Sequence, residues 1–336
     1  MGFARLEAYH QAVQEELREV FSSHDGFLYD LLRYQLGWTD QRGAPEDSPA
    51  TLHFPSMLAL VSCESLSGDF WPSVPAAAGI ELVHNFTLVH GDVQSSRVEA
   101  QERPSVWWLW GPSQAINAGD GLHALGRTTI MRLAQRGVPA ERVLRAVESL
   151  DRACLALCEG QYLDLDFQDQ LVVTAGAYYD MIARKTGALA GCSSESGALA
   201  AGADETAVGK FREAGRRLGM AWQLSRDISE LWNRDGVAAS SVLHKKKSLP
   251  LIYALDNASV AVKRELGTIF MKRVLQPEDS SRVINILEQA GARGFAEGKA
   301  AEMVEEAMVE IEGVGLPPER LEDLRNLGRL ALQGGP

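Results

Sequence analysis

The chain has 336 residues, 46% hydrophobic and 23% charged, an ordinary globular composition with material for one large core or two domains. Its 45 acidic against 33 basic residues give a formal net charge of −12, and no long basic run offsets it, which argues against nucleic acid and anionic membrane surfaces as partners. Residues 1–12 hold no apolar signal core, and no stretch reaches the roughly 18 apolar residues of a membrane span, so no transmembrane segment and a cytoplasmic location are expected.

Helical periodicity runs through almost the whole sequence. Residues 6–21 and 27–36 read as two N-terminal helices, and residues 43–55 as a loop holding Pro45, Pro49 and Pro55. Pro72 and Pro75 open a long apolar helix over about 76–93. Residues 103–112, RPSVWWLWGP, read as an aromatic turn. Helices follow at about 113–136, 140–161, 170–188 and 204–232, with Pro139 and Gly187 as boundary residues. After Pro250 shorter helices continue to about residue 332. Alternating strand runs, repeats and low-complexity tracts are absent from the pattern. The expected fold is all-α, a single domain over residues 1–336 built around long central helices.

Four cysteines stand at Cys63, Cys154, Cys158 and Cys192. Cys154 and Cys158 share a helix face, but no histidine lies near them in sequence, so buried free thiols are expected rather than a zinc site. The short basic cluster at residues 244–247 fits a local anion site or a solvated turn.

Two helices carry related acidic patterns. Residues 81–95 read ELVHNFTLVHGDVQS and residues 219–230 read GMAWQLSRDISE. Between and around them stand RPSVWWLWGPSQAINAGDGL, EGQYLDLDF, KTGAL and KKKSLP. Taken in order from about residue 31 to about 255, these blocks resemble the trans-isoprenyl diphosphate synthases, or polyprenyl synthetases. The resemblance implies an isoprenoid-synthase-type bundle of long helices around a central cleft. It also implies prenyl transfer, in which an allylic diphosphate ionises and isopentenyl diphosphate attacks the carbocation. In that family two D-D-x-x-D motifs bind Mg²⁺, whose charge stabilises the departing diphosphate. Mg²⁺ is therefore the cofactor implied wherever diphosphate chemistry survives.

The sequence departs from the family pattern at five segments. The first motif reads Gly91-Asp92-Val93-Gln94-Ser95, keeping one carboxylate of three. The second reads Arg226-Asp227-Ile228-Ser229-Glu230, and Arg226 is expected to put a permanent cation where a divalent metal would sit. The two family arginines after the first motif are replaced by Ala100 and Gln101. The G-K-R-x-R-P segment appears as SPATLHFP, and the G-K segment after the second motif as DGVAASSVL. Metal binding at Asp92 and Asp227 is therefore doubtful, and Asp92, Asp227 and Glu230 are expected either to pair with arginines such as Arg97 or Arg226 or to be solvated in a cleft.

Other family positions are kept. Lys185, Thr186, Gln223 and Lys246 match those facing the allylic diphosphate, and His84 matches one near isopentenyl diphosphate. His84 also reads as a hydrogen-bonded core histidine. Phe86 and Thr87 match the floor of the prenyl pocket, where an aromatic ring limits a chain to farnesyl or geranylgeranyl length. Trp107, Trp108 and Trp110 read as packing or subunit-interface residues. Asn117, Asp120, Gln161 and Asp164 read as scaffold polar groups.

A scaffold kept and a chemistry eroded imply an isoprenoid-biosynthesis protein that does not elongate chains by itself. It would act as a partner subunit of an active prenyl diphosphate synthase, as a homodimer or a heterodimer. The alternative is an altered prenyltransferase or terpene cyclase acting on an allylic diphosphate of farnesyl to geranylgeranyl length, with changed metal dependence. A third reading is a protein that binds prenyl chains without chemistry.

Overall fold

A computed structural model describes residues 3–46, 52–100, 103–170, 172–232 and 240–335. Its internal contacts group the chain into two compact units, one of Met1–Asp151 with Cys192–Phe211, the other of Arg152–Gly191 with Arg212–Gly335.

The first unit opens with α1 (Phe3–Phe21) and α2 (Phe27–Gln35), followed by α3 (Phe54–Ser67) and α4 (Val74–Gln94). A short antiparallel ribbon pairs β1 (Glu99–Ala100) with β2 (Arg103–Pro104) and leads into α5 (Val106–Trp110) and α6 (Pro112–Met131). The segment expected as an aromatic turn is thus a strand followed by a helical turn. Pro55 and Pro75 stand in the first turns of α3 and α4, where a missing N–H costs nothing. From Val74 to Asn85 nearly every residue of α4 is buried, as befits a helix apolar all round. It packs mainly against α6, and the closest approach is glycine on glycine. A Cβ on Gly79 would lie 2.6 Å from the Gly126 carbonyl oxygen, and one on Gly126 would lie 2.7 Å from that of Gly79.

Helix α6 stops at Met131, five residues before the expected end, because the chain tightens into a 3₁₀ turn over Arg132–Arg136 closed by Gly137 in the left-handed region. The next helix, α7 (Ala140–Asp169), runs beyond the expected residue 161.

In the second unit α8 (Ala175–Ile182) is capped by Thr174, whose hydroxyl accepts from the Ala177 N–H at 3.1 Å. It passes through a π turn (Ala183–Gly187) into α9 (Ala188–Ala200), and α10 (Glu205–Leu231) follows. The remaining helices are α11 (Ser240–Leu243), α12 (Leu249–Asn257), α13 (Val260–Phe270), α14 (Pro277–Gln289), α15 (Ala292–Glu312) and α16 (Pro318–Leu332). One core gathers Phe167, Tyr178, Ile182, Leu224 and Leu249 around α10. A second gathers Leu251, Leu266, Val283 and Leu287. Each such side chain contributes about 1.5–3 kcal/mol through removal from water.

The described helices include none long and apolar enough to cross a membrane. All four cysteines are free thiols; Cys63, Cys154 and Cys192 are buried as expected, while Cys158 is exposed on α7.

Candidate functional site

The family-like polar residues of the second unit converge on α10. Gly160 on α7 begins the arrangement. A Cβ there would lie 2.3 Å from the Lys185 backbone nitrogen, so only glycine lets the π turn lie against α7. That contact aims Lys185 at Asp164, one turn beyond Gly160, and its Nζ donates to Asp164 Oδ2 at 2.6 Å. A π turn at a functional site is a recurrent pattern, since the extra residue re-aims the side chains beside it. Asp164 thus ties α7 to the π turn, and it lines the same small pocket as Lys185.

From α10, Asp227 receives two neutral donors. Tyr178 Oη donates to one carboxylate oxygen at 2.7 Å, and Gln223 Nε2 to the other at 2.8 Å. The Thr186 hydroxyl donates to Gln223 Oε1 at 2.6 Å, which fixes the orientation of the amide. Lys246 Nζ donates to Glu230 Oε2 at 3.2 Å. Lys185 with Asp164, Lys246 with Glu230, and Thr186 with Gln223 and Asp227 form three hydrogen-bonded groups, and Asp164, Lys185, Gln223, Asp227, Glu230 and Lys246 line a pocket of only about 10 Å³. That is room for about one water molecule.

The electrostatics follow from these pairings. Burial works against the Asp164 carboxylate, but Lys185 and then Lys246 outweigh it and hold it below the ordinary range. Burial pushes the Asp227 carboxyl up; Lys246 opposes the rise and Glu230 adds to it. Burial alone would lower Lys246, but Glu230, Asp227 and Asp164 together raise it above an ordinary lysine. The Tyr178 phenol is pushed well up by burial and by Asp227, so it stays a donor.

Arg226 does not do what the sequence suggests. Its guanidinium lies 4.9 Å from the centre of the Trp222 ring, and it lines a different cavity from Asp227. The cation beside Asp227 is Lys246. Residue 226 is one step of about 100° around α10 from Asp227. The three lysines of the run turn to different partners. Lys245 adopts φ 56° at the end of α11 and donates from Nζ to the Lys272 carbonyl at 2.6 Å. Lys247 donates to the carbonyls of Gln168 and Lys245, both at 3.1 Å; burial and then Lys245 lower its ammonium to about 8.

In the first unit Asp92 is 6% exposed near the end of α4. Burial pushes its carboxyl up to about 6, against the pull of Arg97, whose Nε stands 4.0 Å away. Pairing of Asp92 with Arg97 therefore follows the expectation, while the pairing of Asp227 and Glu230 with Arg226 does not.

Three turns earlier on the same helix is a network the sequence reading missed. Glu81 Oε1 meets His53 Nδ1 at 2.5 Å, and Glu81 Oε2 accepts from the Ser56 hydroxyl at 2.6 Å and from the His53 backbone N–H at 3.2 Å. Asn85 Nδ2 donates to the Glu81 carbonyl at 2.9 Å, and Gln35 donates to Asn85 at 3.1 Å. Burial would raise Glu81, but the charge and hydrogen bonds of His53 and the Ser56 hydroxyl hold it below the usual range. The His84 ring is buried with its centre 4.5 Å from that of His53.

Phe86 sits between two imidazoles, with ring centres 4.8 Å from His90 and 5.4 Å from His123, and Thr87 donates back to the His84 carbonyl at 2.7 Å. Trp107 donates to the Arg97 carbonyl at 2.6 Å, Trp110 packs edge-on against Tyr34, and Trp108 is exposed. Gln101, the Ala100 side chain, residues 48–51 of SPATLHFP and residues 235–239 of DGVAASSVL lie outside the described residues.

Residues 54–287 match the family model for polyprenyl synthetase. The chain belongs to the polyprenyl synthetase family. Over 315 residues it is 31% identical to a geranylgeranyl diphosphate synthase from Mycobacterium tuberculosis, covering 92% of this chain and 86% of that protein. It is 28% identical over 325 residues to a (2E,6E)-farnesyl diphosphate synthase from Mycobacterium bovis, covering 95% of this chain and 89% of the relative. The crystal structure of a polyprenyl synthetase from Streptomyces coelicolor A3(2) matches with a TM-score of 0.88 at 28% identity, over 98% of this chain and 99% of that one. The polyprenyl synthetase resemblance and the all-α bundle read from the sequence are thereby established.

The Mg²⁺ array implied by the family finds a poor donor set in this chain. Mg²⁺ requires near-octahedral oxygen ligation. Both Asp227 oxygens are engaged by Tyr178 and Gln223, Asp164 and Glu230 are held by lysines, and the pocket among them has no room for a hydrated ion. Asp92 is the only carboxylate in its motif, and burial pushes its carboxyl up to about 6. Among the described residues no group of three or more His, Cys, Asp or Glu side chains is arranged to hold a metal ion.

Proposed function

We propose that this polyprenyl synthetase family member does not elongate isoprenoid chains by itself and serves as the partner subunit of an active prenyl diphosphate synthase. The observation that carries the reading is the state of the Asp164, Asp227 and Glu230 carboxylates. Each is already engaged by a donor of the same chain, Lys185, Tyr178 with Gln223, and Lys246 respectively. In an elongating enzyme such carboxylates must be open to cations that neutralise the leaving diphosphate. The relatives carry the names of synthases, and we read Gly91, Ser95 and Arg226 as the positions at which this chain departs from the family pattern. A dimer-forming scaffold would accept an active partner with little new surface.

The test is reconstitution. The chain is mixed with an active geranylgeranyl diphosphate synthase from its own source, Mg²⁺, isopentenyl diphosphate and farnesyl diphosphate, and products are resolved by chain length. A shift in product length or rate that saturates at one equivalent, with co-elution of the two proteins, supports the reading. Unchanged products and separate elution with every synthase of that source would sink it.

A second reading rests on the retained cations. Lys185 and Lys246 still face one pocket with Thr186 and Gln223 nearby, an arrangement suited to one allylic diphosphate after rearrangement of the lysine pairs. An altered prenyltransferase or terpene cyclase would release pyrophosphate from geranylgeranyl diphosphate. Pyrophosphate measured with and without EDTA distinguishes this from the subunit reading, which predicts none.

A further inference from the structure

In the second unit, α13 and the turn after it differ in charge from the rest of the chain. Residues 260–276 hold Lys263, Arg264, Lys272 and Arg273 against a single acid, Glu265, whereas the whole chain has a formal net charge of −12. That acid accepts from Arg282 Nε at 2.5 Å, and Asp279 of α14 accepts from Lys272 Nζ at 2.5 Å. Glu278, at the start of α14, subtracts one charge and leaves a positive balance. Arg264 and Arg273 are exposed, and neither pairs with a carboxylate among the described residues.

Apolar side chains share this face. Val260, Arg264, Thr268 and Met271 are spaced three or four apart, so they lie along one side of α13 and its end. All four are exposed, Met271 at 76%, and Val274 three residues on is exposed at 66%. On the other side Leu266 and Ile269 enter the second core with Leu275. The backbone of the turn is held as well. Lys245 Nζ donates to the Lys272 carbonyl at 2.6 Å, and the Met271 N–H to the Gly267 carbonyl at 3.0 Å. Met271 and Val274 therefore project from an anchored turn between cations that no carboxylate claims. Single exposed apolar residues need no explanation, but a projecting set interleaved with unpaired cations does. It matches a surface that is anionic outside and apolar beneath.

We propose that this turn docks on the face of a bilayer containing anionic phospholipid. Met271 and Val274 enter the acyl boundary, and Arg264 and Arg273 meet the phosphates. The acidic surplus of the chain argues against an anionic surface for the molecule as a whole. Charges farther from the contact than a Debye length of about 8 Å are largely screened, however, so the balance of the turn governs. Phe270, next to Met271, has its ring centre 5.5 Å from Lys247 Nζ, and Lys247 lines the small pocket described above, so the surface adjoins that pocket. The docking does not depend on chain elongation and stands whether or not the subunit reading does.

The full chain is mixed with sucrose-loaded vesicles of phosphatidylcholine, alone or with about one-third phosphatidylglycerol, and bound protein is sedimented. Binding to the anionic vesicles is expected to be at least about tenfold stronger than to the neutral ones, and to be lost in about 0.5 M salt. Arg264→Gln combined with Arg273→Gln should weaken it about tenfold or more, since each cation at an anionic surface is worth about fivefold. Met271→Ser combined with Val274→Ser should also weaken it at least about tenfold. Val309→Ser, at an exposed valine of α15, should change it less than about twofold. Thermal melts establish that each variant is folded. No binding to the anionic vesicles, equal binding to both kinds, or full binding by either double variant overturns the proposal. Self-association of the unmodified protein that Met271→Ser with Val274→Ser abolishes also overturns it, because a second copy would then cover the turn.

Discussion

Replacing Asp92 by asparagine stabilises the protein at neutral pH and much less in acid. The carboxyl moves from an ordinary 3.8 to about 6 in the fold, chiefly through burial. Each tenfold change in proton affinity is worth about 1.4 kcal/mol, so keeping Asp92 ionised in the folded state costs about 3 kcal/mol at pH 8. The sign follows from proton uptake. Between the unfolded and folded values the folded chain binds a proton that the unfolded chain does not, so the penalty fades as pH falls from about 6 towards 3.8. The asparagine side chain has no charge to bury at any pH. The variant should therefore gain up to about 3 kcal/mol at pH 8 and about half of that at pH 5. Urea denaturation of both proteins at the two pH values measures the difference directly, free of the carboxylates that titrate equally in both. An equal gain at both pH values would refute the burial argument. A loss at pH 8 would mean that the Asp92 carboxylate is held ionised by a favourable partner, as a metal-binding aspartate would be.

Glu81→Gln leaves His53 and Ser56 facing a neutral amide in a buried site, and should lower stability by about 3–5 kcal/mol at pH 7 in urea melts; a loss below about 1 kcal/mol would remove the network from the account. Gly160→Ala forces a methyl group against the Lys185 backbone and should cost about 1–3 kcal/mol. Gly298→Ala, mid-helix with nothing within 4 Å of the new Cβ, should instead gain about 0.5–1 kcal/mol, and thermal melts of the pair decide whether crowding or helix propensity governs. Tyr178→Phe removes one donor from Asp227 and should cost about 1–3 kcal/mol by chemical denaturation.

Much of the fold was legible because its signals are local. The apolar periodicity of α4, Pro55 and Pro75 at helix starts, and Gly137 at a helix end each act within a turn or two of chain. The family blocks located Lys185, Thr186, Gln223 and Lys246, and the structure brings them together. What stayed hidden depends on direction or distance in sequence. Arg226 and Asp227 are adjacent, yet a helix turns about 100° per residue, and that step sends one to Trp222 and the other to Tyr178. The π turn has no periodic signature, so the approach of Lys185 to Asp164 could not be read. His53 and Glu81 lie 28 residues apart and meet only through the packing of α3 on α4. Gly160 was the available clue: a glycine inside a helix marks a close approach.

The central claim is that this chain, alone, cannot neutralise a leaving diphosphate. The direct measurement supplies the purified protein in excess with Mg²⁺, radiolabelled isopentenyl diphosphate and dimethylallyl, geranyl or farnesyl diphosphate, and extracts the prenyl products. The account predicts no incorporation above the protein-free control with any of the three allylic substrates. Multiple-turnover incorporation abolished by EDTA would contradict it, because a working metal site would then have to form from carboxylates that the fold already engages.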